Sequence, residues 1–220
     1  MIDFHTHTLF SDGVLVPSEL VRRAEVMGYR AIGLTDHVDS SNLEFVVPRI
    51  VRVAQELNKN QRVFVVPGVE ITHAPPAQIA ELIVEARKQG AVLVITHGES
   101  PVEPVAPGTN HAAILAETDI LAHPGMISEE DATLAKQKNV FLEITSRSGH
   151  SLTNGHVFRM ALESGAQLVI NTDTHTPDNL ITDQKAEVVL RGSGMTGREA
   201  TRVLDSNEKL LDVLKARMDW

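Results

Sequence analysis

Apolar and polar positions along the chain repeat a two-part pattern. A short continuous apolar run is followed by a stretch with apolar residues at helical spacing. The first run opens with Ile2 and Phe4 alternating with Asp3, His5 and His7, which predicts a short strand with His5 and His7 on one face. Pro17-Ser18-Glu19 then starts a helix carrying Leu20, Val21, Ala24 and Met27, with Gly28 as its stop. Residues 31–37 read as a second strand, 43–57 as a helix and 62–72 as a third strand. Pro75-Pro76 breaks the chain before a helix over 77–89 that Gly90 ends. The fourth strand is predicted over 91–98, then a Pro-rich loop over 99–109 and a short helix over 110–117. A fifth strand begins at Asp119, a helix capped by Ser128 covers 128–138, and a sixth strand covers 140–145. Residues 155–165 are helical and 167–175 form the seventh strand. One or two more helices follow, with Thr196 and Asp205 as candidate N-caps.

Strand and helix thus alternate seven times in 220 residues, a length that suits one domain over 1–220. The strands are short and apolar on both faces, as in a buried parallel sheet. Either a (β/α) barrel or a doubly wound sheet satisfies that alternation.

Composition narrows the chemistry. The chain has no cysteine, so any metal must be held by His, Asp, Glu or backbone oxygen. Ten histidines are about twice an ordinary share, and the excess calls for a function. The net charge of −9 argues against a broad nucleic-acid or membrane-surface footprint. No apolar run reaches the ~18–20 residues of a membrane span, and no signal peptide is visible, so a cytoplasmic location is expected.

The positions of the ionisable residues choose between the two folds. Six strands end in His, Asp or Glu: His5 and His7, His37, Glu70, His97, His123, then Asp173 and His175. Asp173-Thr174-His175 repeats the spacing of His5-Thr6-His7. Active sites of β/α barrels sit at the C-terminal strand ends, where a closed ring would bring all six together; ends spread across an open sheet could not share ions. The barrel is therefore expected. With Asp12 the candidates number nine, six His and three carboxylates. One ion takes about four to six ligands, so nine imply two or three. Mixed nitrogen and oxygen ligation suits Zn, Mn or Fe without choosing among them. Three divalent ions against three carboxylates leave a cationic site, suited to a phosphorylated substrate.

Taken in order, His5-Thr6-His7, Ser11-Asp12-Gly13, Thr35-Asp36-His37, Gly68-Val69-Glu70, His97, His123-Pro124 and Asp173-Thr174-His175 resemble the PHP (polymerase and histidinol phosphatase) superfamily. The resemblance implies a distorted seven-stranded, TIM-like (β/α)7 barrel with a trinuclear metal site at the C-terminal ends of the strands. It implies one ion on His5, His7, Glu70 and Asp173, a second on Glu70, His97 and His123, and a third on Asp12, His37 and His175, with Glu70 bridging the first two. Glu70 and Asp173 are thereby catalytic as well as metal-holding. The implied activity is hydrolysis of phosphoesters by metal-bound hydroxide, foremost as a small-molecule phosphomonoesterase of the histidinol-phosphatase type. A phosphodiesterase or 3′–5′ exonuclease, and a non-catalytic metal-binding module, are the alternatives. Amidohydrolase chemistry would call for a lysine at a strand end, and none stands there.

Beyond the metals, the loop Thr145-Ser146-Arg147-Ser148-Gly149-His150 follows the one strand end without an assigned ligand. Its Arg147 and Ser148 are suited to hold phosphate, and His150 to give a proton to the leaving group. Glu99 and His111 are further candidates to touch substrate, and Asp3 to support His5 and His7 from behind. The sequence leaves the substrate and oligomeric state open.

Overall fold

The computed structural model describes residues 1–218. Strands β1 (Ile2–Asp3), β2 (Ala31–Leu34), β3 (His37–Val38), β4 (Phe64–Ile71), β5 (Leu93–His97), β6 (Ile120–Ala122), β7 (Phe141–Thr145) and β8 (Leu168–Asn171) are all parallel to their neighbours. Hydrogen bonding runs in the order β1-β2-β4-β5-β6-β7-β8, with the short β3 pairing beside β4. β3 continues the path of β2 after a break at Thr35 and Asp36, so the two occupy one position in a seven-position ring. The ring is nearly closed: Thr6 and Thr174 form a parallel bridge, with His7 N–H donating to Thr174 O at 2.8 Å. This is a TIM-like (β/α)7 barrel, as expected.

Helices α1 (Pro17–Val26), α2 (Leu43–Asn60), α3 (Ile79–Lys88), α4 (Thr109–Leu115), α5 (Glu129–Lys138), α6 (Asn154–Ser164), α7 (Asp183–Gly192) and α8 (Gly197–Ala216) separate and follow the strands. Local chemistry sets their ends. Pro17 supplies a preset φ at the first turn of α1, and Gly28 takes the left-handed conformation (φ +81°) beyond its last turn. Ser128 accepts from Asp131 N–H to start α5, whose acidic first turn and lysines near its end match the helix dipole. Thr196 and Glu199 form a capping box on α8. Asp205 instead lies in the middle of that helix, and the cap of α7 is Thr182.

Two apolar layers result. The outer one packs helix residues such as Leu20, Ile50, Ile79 and Ile114 on the strands' outward faces. The inner one fills the barrel with Phe4, Val66, Leu93, Ile95, Ile120 and Val169. Leu210, Leu211 and Leu214 of α8 join this inner layer, so α8 covers the barrel's N-terminal end. Asn207 of α8 donates from Nδ2 to Ile2 O at 3.2 Å and Ile170 O at 2.9 Å, stitching the seam between β1 and β8 from below. The opposite, C-terminal end is left polar.

Candidate metal centre

Regular strand structure ends at Asp3, so the alternation that places His5 and His7 on one strand face does not run through them. Their rings still converge, with centroids 5.1 Å apart. Asp3 turns away from them. Its carboxylate accepts from His5 N–H, Thr172 N–H and the Thr172 hydroxyl, tying β1 to the segment after β8. Burial pushes the Asp3 carboxyl up to about 6.

Glu70 and Asp173 stand at the centre of the polar end, both buried. Glu70 Oε1 lies 3.3 Å from His5 Nε2 and 3.9 Å from His123 Nε2, and Oε2 lies 3.7 Å from His7 Nε2 and 2.7 Å from His37 Nδ1. Asp173 Oδ1 lies 3.1 Å from His7 Nε2 and 3.6 Å from His5 Nε2, with Oδ2 3.7 Å from His123 Nε2. Nearer the mouth, exposed Asp12 is 3.4 Å from His37 Nε2 and 3.1 Å from His175 Nε2. The nine expected candidates thus lie in one connected cluster, which His97 joins through His123, their rings 4.5 Å apart.

Several rings are aimed by their second nitrogen. His5 Nδ1 is 2.8 Å from Glu143 Oε2, His175 Nδ1 donates to Asp173 O at 2.9 Å, and His97 Nδ1 donates to Gly98 O at 3.0 Å. Each presents Nε2 to the cluster, the arrangement that fixes a metal-binding tautomer. Two candidates also sit on unusual backbone: His123 and Asp173 have φ of +27° and +54°. Gly13 is required for a different reason, since a Cβ there would fall 2.2 Å from His7 O.

The electrostatics are strongly polarised. Burial alone would push the His5 imidazole down, but the carboxylates of Glu143, Glu70 and Asp173 hold it well above its ordinary value. Burial and the neighbouring His37 charge push His7 down to about 3. Against its burial, Glu70 is held well below the carboxylate range by His5 and His37. Asp12 is likewise held low against burial, by His175 and His37. His37 rises to about 10 because Glu70 and Asp12 outweigh burial.

Whether this set fits a metal is answered by its unsatisfied atoms. His5 Nε2, His7 Nε2, Glu70 Oε1 and Asp173 Oδ1 are buried, face one another and have no hydrogen-bond partner among the described residues. Unsatisfied buried polar atoms are costly, and a shared cation satisfies all four at once. Donor sets within reach of one ion include His5/His7/Glu70, His5/His123/Asp173 and His7/Asp12/His37/His175.

The domain model described as PHP domain matches residues 3–119. The chain belongs to the PHP family. Among curated relatives, this PHP protein is 48% identical to the uncharacterized protein MJ1295 of Methanocaldococcus jannaschii over 92% of this chain and 94% of that one. It is 25% identical to the DNA polymerase/3′-5′ exonuclease PolX of Bacillus subtilis over 93% of its own length, but spans only 39% of that enzyme. Among solved structures, a chain of archaeal ribonuclease P with mature tRNA matches at TM-score 0.73 and 16% identity, over 97% of this chain and 90% of that one. The histidinol phosphate phosphatase of Lactococcus lactis, complexed with zinc, L-histidinol and phosphate, matches at TM-score 0.60 and 17% identity, over 89% and 94%. At such identities these two matches establish the PHP protein's fold alone.

The remaining candidates divide. His150 is buried beside the cluster, its ring 4.2 Å from His123 and its Nδ1 2.6 Å from Ser100 Oγ. Arg147 leans towards Asp173, with Nη1 donating to Asn179 Oδ1 at 3.1 Å and Nε 3.8 Å from Asp173 Oδ2. Ser148 lies on the same rim loop, exposed. Glu99 points elsewhere: its Oε1 accepts from Gly108 N–H and Asn110 N–H, both at 3.0 Å, and thereby closes its own loop. His111 faces outward from α4 and pairs with Asp131 of α5 at 2.7 Å. Two acids escape sequence reasoning. Glu143 is hidden inside a strand that reads as apolar, and its only signal is being a charge in such a run. Glu103, in the Pro-rich loop, carries no local signal at all.

Proposed function

We propose that this chain is a metal-dependent phosphoester hydrolase acting on small phosphomonoesters. The observation that carries this reading is the group of mutually facing, unpartnered donors on His5, His7, Glu70 and Asp173 at the barrel's polar end. His5, His7, Glu70 and Asp173 would hold one ion, Glu70, His97 and His123 a second, and Asp12, His37 and His175 a third. When bound, such ions neutralise phosphoryl oxygens and acidify water. The rest falls to the chain's own side chains. Arg147, anchored by Asn179, offers a planar fork of donors to a phosphoryl oxygen. His150 is positioned by Ser100 to pass a proton from its Nε2 to the leaving oxygen. Ser148 supplies a further hydroxyl on that rim. The zinc, phosphate and L-histidinol named for the Lactococcus lactis phosphatase support a monoester with a small alcohol as leaving group.

A phosphodiester reading is favoured by a different observation, the match to PolX of Bacillus subtilis and, over 70 residues at 37% identity, to the 5′-3′ exoribonuclease Rnm of Escherichia coli. The acidic balance of the chain weighs against it. The deciding experiment compares turnover of small phosphomonoesters with that of single-stranded oligonucleotides, using protein loaded with Mn or Zn. Hydrolysis of monoesters with oligonucleotides left intact supports the first reading, and the converse replaces it with the second. Fewer than two bound ions, with no turnover of either, removes both.

A further inference from the structure

The loop between β5 and α4, residues 98–109, is a braced strap and not a slack connection. Glu99 Oε1 closes its base through Gly108 and Asn110, and Asn110 Nδ2 donates to Pro124 O at 2.8 Å on the loop after β6. Gly98 allows that approach, because a Cβ there would lie 2.3 Å from Ala122 O. At the far side Ser100 Oγ reaches His150, and Val102 packs over Gly149. The strap therefore spans from β5 to the loop after β7, and it carries one acid inward. Glu103 Oε2 is 3.0 Å from His97 Nε2 and 3.0 Å from His73 Nε2, while Oε1 is 3.3 Å from His150 Nε2.

Those distances have a direct meaning. Two donors on one ion, each about 2.0–2.2 Å away and subtending 90–110°, lie about 2.8–3.6 Å apart. Asp12 stands at 3.4 and 3.1 Å from His37 and His175, and Glu103 stands to His97 in the same relation. His97 Nδ1 is spent on Gly98 O, so the Nε2 that meets Glu103 is the atom left for a metal. His73, His97 and Glu103 together form a donor set within reach of one ion. Beside them the buried His123 Nδ1 lacks a partner among the described residues.

We propose that Glu103 is a ligand of the divalent ion held at His97, assisted by His73, so that binding of this ion fastens the strap across the mouth. The assignment rests on the metal-centre reading above and adds to it a carboxylate from outside the strand ends. It gives that ion two nitrogens and one oxygen at the mouth, a set for zinc, cobalt or manganese. It also makes access to the centre depend on whether the ion is present.

The test uses the full chain and zinc or cobalt alone. Zinc affinity is read by competition with a chromophoric chelator, cobalt ligation by visible absorption, and strap protection by hydrogen exchange of 99–109 with and without metal. In the unmodified protein, metal should slow exchange in the strap. In Glu103→Gln, one ion should bind at least about tenfold more weakly, with an altered cobalt spectrum and no metal-dependent slowing in the strap. Unchanged exchange in the unmodified protein on adding metal overturns the proposal without recourse to any variant. So does a Glu103→Gln protein matching the unmodified one in affinity, spectrum and exchange, and that outcome leaves the metal centre standing. If the unmodified protein takes up no ion at all, both readings fall together.

Discussion

Glu143 Oε2 lies 2.8 Å from Nδ1 of His5, with both side chains fully buried. The second hydrogen-bonding partner of that oxygen is Asn171 Nδ2 at 2.9 Å, and Asn171 Oδ1 accepts from Phe4 N–H. A chain of polar contacts thus runs from β7 through β8 into β1 and fixes the plane of the His5 ring. Carboxylates behind a metal-binding imidazole raise its basicity and hold its orientation.

The first prediction concerns that contact. Glu143→Gln keeps the volume but removes the charge, and should weaken metal binding about 10–100-fold, with activity falling in proportion. Chelator competition beside phosphatase assays checks it. Unchanged metal affinity would show that the carboxylate only fills space.

A second prediction separates Glu70 from His5. Glu70 lies within 4 Å of four histidines, His5, His7, His37 and His123, with both of its oxygens engaged, whereas His5 has a single nitrogen, Nε2, to offer the cluster. Glu70→Ala should therefore lower metal content by more than one ion and cost at least about tenfold more activity than His5→Ala. Elemental analysis of the two purified variants decides the matter; equal losses would count against a bridging role.

Arg147 gives a third. Arg147→Lys keeps the charge but not the fork, and should raise KM for a phosphomonoester about tenfold with a smaller change in kcat, since a charge-assisted hydrogen bond contributes about 1.5–3 kcal/mol. Steady-state kinetics read the split. A fall in kcat alone would assign Arg147 to positioning Asp173.

The fourth is a matter of pH. The Asp3 carboxyl releases its proton near 3.8 when unfolded but only near 6 in the fold. Stability from this group is complete below the first value and lost as pH rises through the second, by about 3 kcal/mol at most for this fully buried group. Asp3→Asn can keep contacts to His5 N–H, Thr172 N–H and the Thr172 hydroxyl while removing the titration. It should flatten the loss of stability between about pH 4 and 6, measured by denaturant unfolding across that range. An unchanged pH profile would refute the cause given.

The barrel was legible because it rests on local periodicity, and the gathering of the nine candidates at one end because it follows from one global rule. Short apolar runs ending in His, Asp or Glu become neighbours once the strand ends form a ring. Glu143 was not legible, since a charge within an apolar run has no partner until β1 is brought beside β8. Glu99 and Glu103 show the opposite limit. They stand four residues apart in one loop, yet the first bonds its own backbone and the second reaches three histidines from elsewhere in the chain. Loop backbone geometry decides between them, and no period or spacing encodes it. His111 misled for a similar reason: proximity to a loop in sequence says nothing about which side of a helix faces the mouth.

The seam joined by Thr6–Thr174 and by Asn207 brings together residues far apart in the sequence. His5 and His7 precede every residue that faces them: Glu70 comes some sixty residues on, and Asp173 and His175 about a hundred further still. The stitch that holds β1 to β8 comes later still, with α8. The two ends of the ring are thus held together by contacts between distant parts of the chain. The place of His5 and His7 in the candidate centre is therefore guarded from the far end of the barrel, and Asn207→Ala, some way from any donor, should loosen them by opening the seam.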